Sequence, residues 1–474
     1  MEMYPMWIGG EKVTGKREAG VKNPFDNKTI GKITFADSNI FAKAIDEAEK
    51  GFEISRKLPA WERAEILYRA AEIMKKRKEE LVMTIVNEAG KPYKFAVGEV
   101  NRGIENTIFA AEQAKNIYGE VIPMDASAGG VGKTGYYRWE PVGIVFGVVP
   151  FNFPLNLMLH KVLPAIAAGN SVIIKPSTYT PITSYILGEI LKEAGLPDGI
   201  YNTIYGMGGE IGKMMVAEPR IRVISFTGSY EVGRWISERA AMKRILLEMG
   251  NNSPVIVDSD ANLEKTVKRL AIGAYAYAGQ ICISVQRIYV NKKFYKKFVD
   301  KFLEEAESTP AGDPKDPETV VGPLIDEKEF YRIVFWVNDA ATEGADVLPS
   351  IKGDNNVLHP IVLLNTNHRM NVVSKEVFGP VVSIMKYSNF EEAVSLANDT
   401  VYGLQVGVYA NDINKINYAV EKLKFAGVII NDYPTFRVDH MPYGGIKNSG
   451  MGREGVRYSI KEMMEMKLVV IQDI

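Results

Sequence analysis

A chain of 474 residues is too long to fold around one hydrophobic core, so two or three domains are expected. Apolar residues make up 46% and charged residues 24%, with a net charge of −1, which excludes the strongly basic balance of a nucleic-acid binder. The longest apolar run, residues 142–151, is far too short for a membrane span, residues 1–10 lack a signal-peptide pattern, and the single cysteine fits a reducing, cytoplasmic compartment.

Residues 6–13 alternate around Gly9-Gly10 and predict a hairpin; residues 23–26 predict a turn. Apolar residues at helical spacing predict helices over 41–54 and 61–87, the second closed by Gly90-Lys91-Pro92, and a third over 98–118. Residues 121–136 are rich in small residues and predict an excursion from the main body, with a strand over 135–139. Strands over 142–149, 171–175, 199–205 and 222–226 then alternate with helices over 156–169 and 181–195, and with others between and after them. That alternation implies crossover connections and a parallel, doubly wound sheet. A second unit is expected after Pro254: a helix over 262–279, a strand over 286–290, a helix over 293–308, and further strands over 381–385, 407–409 and 427–431 that resume the strand–helix alternation. Residues 443–455 predict a glycine-rich loop. The final strand, 467–472, needs a sheet edge, with another subunit as one source.

Cys282, in Gly279-Gln280-Ile281-Cys282, is the only cysteine, so neither a disulfide nor a cysteine metal clamp is available within the chain. It is either a buried small hydrophobe or a nucleophile, and its setting beside Gly279 and Gln280 favours the nucleophile. Glu248, flanked by Leu247 and Met249, is a partly desolvated carboxylate suited to general-base work, or an exposed charge on a strand edge. Asn152, an amide between Phe151 and Phe153 in a proline-bounded turn, is an oxyanion donor or a structural turn residue. Lys175 ends a strand, where ligands of open α/β sheets sit; it would hold a ribose hydroxyl or a phosphate, or remain solvated. Gly228-Ser229 turns a strand into a helix whose N-terminus attracts phosphate, although the dinucleotide fingerprint with three glycines is absent. The four histidines show no metal-ligand spacing; His160 and His440 fall near these motifs.

Together these segments resemble the aldehyde dehydrogenase superfamily nearly end to end. The resemblance is carried by Trp7-Ile8-Gly9-Gly10, the 150–154 turn, Lys175-Pro176-Ser177, Phe226-Thr227-Gly228-Ser229, Leu247-Glu248-Met249-Gly250, the stretch before Cys282, Glu376-Val377-Phe378-Gly379-Pro380 and Pro442-Tyr443-Gly444-Gly445. It implies an α/β fold with a Rossmann-type cofactor domain (1–118 and 140–250), an α/β catalytic domain (251–455) and a β oligomerisation arm (119–139 and 456–474) that joins homodimers or homotetramers. It also implies a mechanism. Cys282 attacks an aldehyde, Asn152 and the Cys282 backbone N–H hold the oxyanion, hydride leaves to the nicotinamide, and Glu248 activates the water that releases the acid. By the same resemblance Lys175 and Glu376 hold the cofactor's ribose hydroxyls, Phe378 packs near the nicotinamide and Ser229 contacts the pyrophosphate. Phe151, Ser177, Thr178, Gly228 and Gly250 belong to the same cofactor motifs.

Many NAD-using members have glutamate where this chain has Thr178. Loss of that carboxylate beside Lys175 implies a preference for NADP, or use of both cofactors. Residues 436–443 and 150–157 are similar to archaeal lactaldehyde dehydrogenases and their non-phosphorylating glyceraldehyde-3-phosphate relatives. Arg102 and Arg437 match positions near the substrate mouth in that group; Phe153, His160, Ile281 and Tyr443 are assigned to the substrate with them. Ile281 stands where some members that take glyceraldehyde 3-phosphate carry arginine, which argues against a tight phosphate pocket. The expected reaction is therefore oxidation of a small hydroxyaldehyde such as lactaldehyde. Glyceraldehyde 3-phosphate or succinic semialdehyde oxidation, a CoA-acylating reaction and a catalytically silent binding protein are the alternatives.

Overall fold

The structure is a computed structural model that describes residues 1–472. It contains two large sheets. The first has six strands in the order Gly450–Met451, Arg244–Glu248, Ile221–Thr227, Ile144–Val148, Ser171–Lys175 and Tyr201–Thr203. All neighbours are parallel except the short Gly450–Met451 edge, which runs antiparallel to Arg244–Glu248. The second has seven strands, Asp346–Leu348, Ile361–Leu364, Val381–Tyr387, Arg287–Asn291, Pro254–Val257, Gln405–Tyr409 and Gly427–Ile430. It too is parallel apart from one edge, Asp346–Leu348. The strands are nearly continuous apolar runs because helices cover both faces, as parallel sheets require. In the first sheet Val148 pairs with Lys175 and Thr227 with Glu248, so the four central strands end level with one another. This register gathers the 150–154 turn, Lys175, Gly228-Ser229 and Glu248 at one edge, where α/β sheets bind ligands.

The hairpin Met6–Ile8/Glu11–Val13 and most strands form as expected. Three helices differ. The stretch 61–87 is two helices, Ala60–Lys76 and Lys78–Ala89, because Arg77 leaves helical geometry and its guanidinium bonds Glu80 and Glu189. The third helix runs over Tyr93–Ala114, starting directly after Pro92. Left-handed Gly90 (φ 62°) ends the previous helix, and Pro92 stands immediately before the next, where no intrahelical N–H is required. The helix before the cysteine stops at Tyr275; Tyr277, Ala278 and Gly279 then follow in left-handed conformation (φ 52°, 53° and 68°). Gly279 is required here, because a Cβ would collide with the Gly379 carbonyl. The Glu327–Thr342 helix falls in a segment with no expected element, whereas the Phe390–Asn398 and Ile413–Lys422 helices fill the strand–helix alternation expected after residue 381.

The terminal strand is Met464–Gln472 and finds its edge within its own chain. It pairs antiparallel with Lys133–Pro141 from Met464↔Pro141 to Gln472↔Lys133, and Glu120–Ile122 completes a three-stranded sheet. Among the described residues no helix is long and apolar enough to cross a membrane.

Candidate active site

A cleft of about 870 Å³ lies between the two large sheets. Cys282, Asn152 and Glu248 all line it. They arrive from three places: the left-handed turn after the Leu263–Tyr275 helix, the turn after the Ile144–Val148 strand, and the end of the Arg244–Glu248 strand.

Cys282 is half-buried, and its Sγ lies 3.1 Å from the Tyr443 hydroxyl. Burial pushes the thiol up to about 12; the Tyr443 hydrogen bond and the Arg437 charge work against that rise. Asn152 is buried, and its Nδ2 donates to the Gln280 carbonyl at 2.9 Å. That bond ties the Asn152 turn to the cysteine turn and uses one of two amide hydrogens, leaving the other for a ligand. The Gln280 side chain does not sit by the thiol as expected. It turns away, donating to the Pro323 carbonyl (3.1 Å) and accepting from the Ile325 N–H (3.0 Å).

Glu248 is buried, and its Oε2 has no hydrogen-bond partner. Burial, then the neighbouring Glu454 charge, holds its carboxyl well above the usual range, against the pull of Arg437, Lys161 and Arg453. Glu454 is itself buried and stays ionised: burial works to raise it, but Lys161, His160 and Arg437 bring it to about 2. The strand-edge alternative for Glu248 is therefore not what the structure contains.

The cofactor candidates divide. Phe151, Gly228, Ser229, Gly250, Glu376 and Phe378 line the cleft, whereas Lys175, Ser177 and Thr178 lie beyond its walls. The 177–180 turn abuts its rim, since Phe151 meets Tyr179 edge-on at 6.1 Å and Phe378 at 6.0 Å. Ser229 caps the Tyr230–Ser237 helix, its Oγ accepting from the Val232 N–H at 3.4 Å. Glu376 accepts from the Asn251 N–H at 3.0 Å, and burial raises its carboxyl to about 7. Gly250 packs so closely on that carboxylate that a Cβ would run into it. Lys175 is a buried ammonium whose Nζ meets the Pro176 carbonyl at 3.1 Å; burial lowers it to about 8. A buried cation with a carbonyl and no carboxylate beside it, a half-ionised acid and a helix N-terminus suit a ligand bearing hydroxyl and phosphate groups. The residues present fit a dinucleotide.

Of the substrate candidates, Arg102, Phe153, Ile281, Arg437 and Tyr443 line the cleft. His160 does not; it is fully buried behind the wall, its Nε2 2.9 Å from both Asp439 Oδ1 and Arg437 Nη2. Burial and the Arg437 charge lower its pKa, against the opposing pull of Asp439 and Glu454. His440 packs edge-on against Phe109 and does not line the cleft. The guanidinium of Arg437 lies 3.7 Å from the Tyr443 ring centroid and is buried, not solvated.

Several residues of this site had not been singled out. Lys161 is fully buried, donating to Thr227 Oγ1 (2.8 Å) and facing Glu454 (3.4 Å). Lys91 and Glu99 form a buried ion pair. Glu99 Oε1 accepts from the Leu155 and Asn156 N–H groups, and Lys91 Nζ sits 3.5 Å from the Phe153 ring centroid. The available signal was the Asn156–Ala168 helix, apolar nearly all round and therefore buried on every side. A lysine inside such a helix requires a partner.

Residues 11–469 match the Aldehyde dehydrogenase family. A 3-sulfolactaldehyde dehydrogenase of Priestia aryabhattai is 39% identical over 99% of this chain and 98% of its own length. A lactaldehyde dehydrogenase of Methanocaldococcus jannaschii is 40% identical, covering 98% of this chain and all of its own. The crystal structure of the glyceraldehyde-3-phosphate dehydrogenase GapN from that organism, complexed with NADP, superposes with a TM-score of 0.92 at 39% identity, over 97% of this chain and 100% of that one. The chain belongs to the aldehyde dehydrogenase family. It is an oxidoreductase that acts on aldehydes.

Proposed function

We propose that this enzyme oxidises a short 2-hydroxyaldehyde such as lactaldehyde to its carboxylic acid, with water and not phosphate or CoA as the acyl acceptor. The observation that carries the reading is the convergence of Cys282, Asn152 and Glu248 on one cleft. Cys282 Sγ gives up its proton and bonds the aldehyde carbon, whose π electrons move to oxygen. The free N–H of Asn152 and the Cys282 backbone N–H receive that oxyanion. Bound NAD(P) supplies the acceptor for the hydride that leaves the same carbon. A thioester on Cys282 remains. Glu248 takes a proton from water, the water oxygen attacks the acyl carbon, and the C–S bond breaks to return the thiolate. Aldehyde, water and oxidised cofactor become acid, reduced cofactor and a proton. A buried carboxylate with an unpartnered oxygen suits water activation and argues against CoA as acceptor.

NADP is the proposed preference, from Thr178 in place of glutamate and the buried ammonium of Lys175. The lactaldehyde and sulfolactaldehyde relatives support a three-carbon hydroxyaldehyde. A second reading, a phosphorylated or sulfonated aldehyde, is favoured by the two arginines on the cleft wall. The exposed face of the terminal strand, with Met466, Leu468 and Val470, supports an arm that pairs subunits. The proposed division is a cofactor unit around the six-stranded sheet, a catalytic unit around the seven-stranded sheet, and that arm. Rates of cofactor reduction with lactaldehyde, glyceraldehyde, glyceraldehyde 3-phosphate and succinic semialdehyde, each with NADP and NAD, test the reading. Fast turnover of a hydroxyaldehyde with NADP is expected; exclusive use of NAD, or of succinic semialdehyde, would contradict it.

A further inference from the structure

The two arginines on the cleft wall invite the expectation of an anion receptor, yet each is already engaged by a buried acid. Arg102 sets Nε and Nη2 against the two oxygens of Asp439, at 3.0 and 2.7 Å. Arg437 donates from Nη2 to Glu454 at 2.9 Å. Arg102 and Asp439 cancel as a forked pair, while Glu454 is shared between Arg437 and Lys161. Asp439 has a side chain only 2% exposed and is the hub of this wall. It also accepts from Asn156 Nδ2 at 3.0 Å and meets His160 Nε2 at 2.9 Å. Burial works to raise its carboxyl, but His160 and Arg102 hold it far below the usual range, so it carries its charge throughout.

An incoming phosphate or sulfonate would compete with Asp439 for the same forked donors and face its negative charge in a poorly screened setting. Two further groups around this carboxylate lack hydrogen-bond partners: Arg437 Nε, 4.0 Å from Asp439 Oδ1, and Oδ1 of Asn156, whose Nδ2 bonds the same oxygen. A hydroxyl that reached them would offer both a hydrogen and a lone pair, whereas an ionised phosphate or sulfonate has no hydrogen for Asn156 Oδ1.

We propose that Asp439 is a specificity-determining residue, which occupies the Arg102 fork and puts a fixed negative charge on the cleft wall, setting the cleft for uncharged hydroxyaldehydes against their phosphorylated or sulfonated counterparts. This rests on the hydroxyaldehyde reading above. The test compares kcat/KM for glyceraldehyde and glyceraldehyde 3-phosphate, at saturating NADP, in the wild type and in Asp439→Asn. The wild type is expected to favour glyceraldehyde by about ten-fold or more, and the variant to move that ratio toward the phosphate ester by at least about ten-fold. Turnover of both aldehydes with an unmoved ratio, or a wild type that favours the ester, would overturn the role of Asp439. No reduced cofactor with either aldehyde would instead overturn the hydroxyaldehyde reading itself. A measurement on the wild type alone covers a variant that does not fold. Glycerol 3-phosphate is expected not to compete with glyceraldehyde at millimolar concentration; competition in the micromolar range would overturn the proposal.

Discussion

Asn152 keeps one amide hydrogen free while the other holds the Gln280 carbonyl, so it has two separable duties. Asn152→Ala is expected to lower kcat by about 10²- to 10³-fold, the usual effect of removing one oxyanion donor, with a smaller change in KM. An unchanged kcat would leave Asn152 as a turn residue only. The pH profile follows from two acids held high. In the proposed mechanism Cys282 and Glu248 both lose protons, and both are raised by burial. Their ionised fraction grows as pH rises, so kcat/KM is expected to climb from about pH 6 to about pH 9. A profile falling over that range would contradict the assignment. Cofactor affinity carries a different signature. Glu376 ionises near 7 and accepts hydroxyl hydrogens most strongly when charged, while Lys175 loses its charge above about 8. Affinity for NADP, followed by fluorescence, is expected to peak between these values, and Glu376→Gln to abolish the acid limb alone. At this scale Cys282, Glu248 and Asn152 were legible because each is a costly residue type in its local setting. Asp439, Lys161 and Glu454 were not, since a charge looks solvated in sequence until its neighbours from other segments are known.

At the scale of elements, the 150–156 turn is held from below by Lys91 and Glu99. Glu99 caps the start of the Asn156–Ala168 helix through two backbone N–H groups, and Lys91 lies against Phe153. Glu99→Gln removes the charge that Lys91 is paired with inside the protein. Breaking a buried pair in this way costs about 3–5 kcal/mol, so a clear fall in melting temperature is expected, with a fall in kcat as the Asn152 turn loosens. Equal stability of the variant and wild type would show that the pair does not hold the turn. Strand limits such as Ser171–Lys175 were legible because a buried parallel strand is one unbroken apolar run. The break at Arg77 and the left-handed turn at Tyr277-Ala278-Gly279 were not. Each depends on tertiary partners, Glu189 for Arg77 and the Gly379 carbonyl for Gly279, that lie far off in the chain.

For the whole molecule, the parallel order of strands followed from the alternation of strand and helix, but not which sheet faced which. The cleft exists because the end of one sheet and the turn leading into the other meet there. The arm was legible as an excursion, and the family resemblance joined it to the terminal strand; the register, Met464↔Pro141 to Gln472↔Lys133, was not, because strand partners are not encoded locally. Leu468 and Val470 expose 57% and 45% of their surface on that strand. Leu468→Glu with Val470→Lys is expected to reduce the mass measured by light scattering without changing the secondary structure; an unchanged mass would remove the arm from subunit pairing.

Rapid mixing of Glu248→Gln enzyme with NADP and lactaldehyde tests the convergence of thiol, amide and acid most directly. One equivalent of reduced cofactor per active site is expected in a fast burst, followed by a slow steady state and an acyl adduct on Cys282 detectable by intact mass. Steady turnover at the wild-type rate, with no burst and no adduct, would contradict the account.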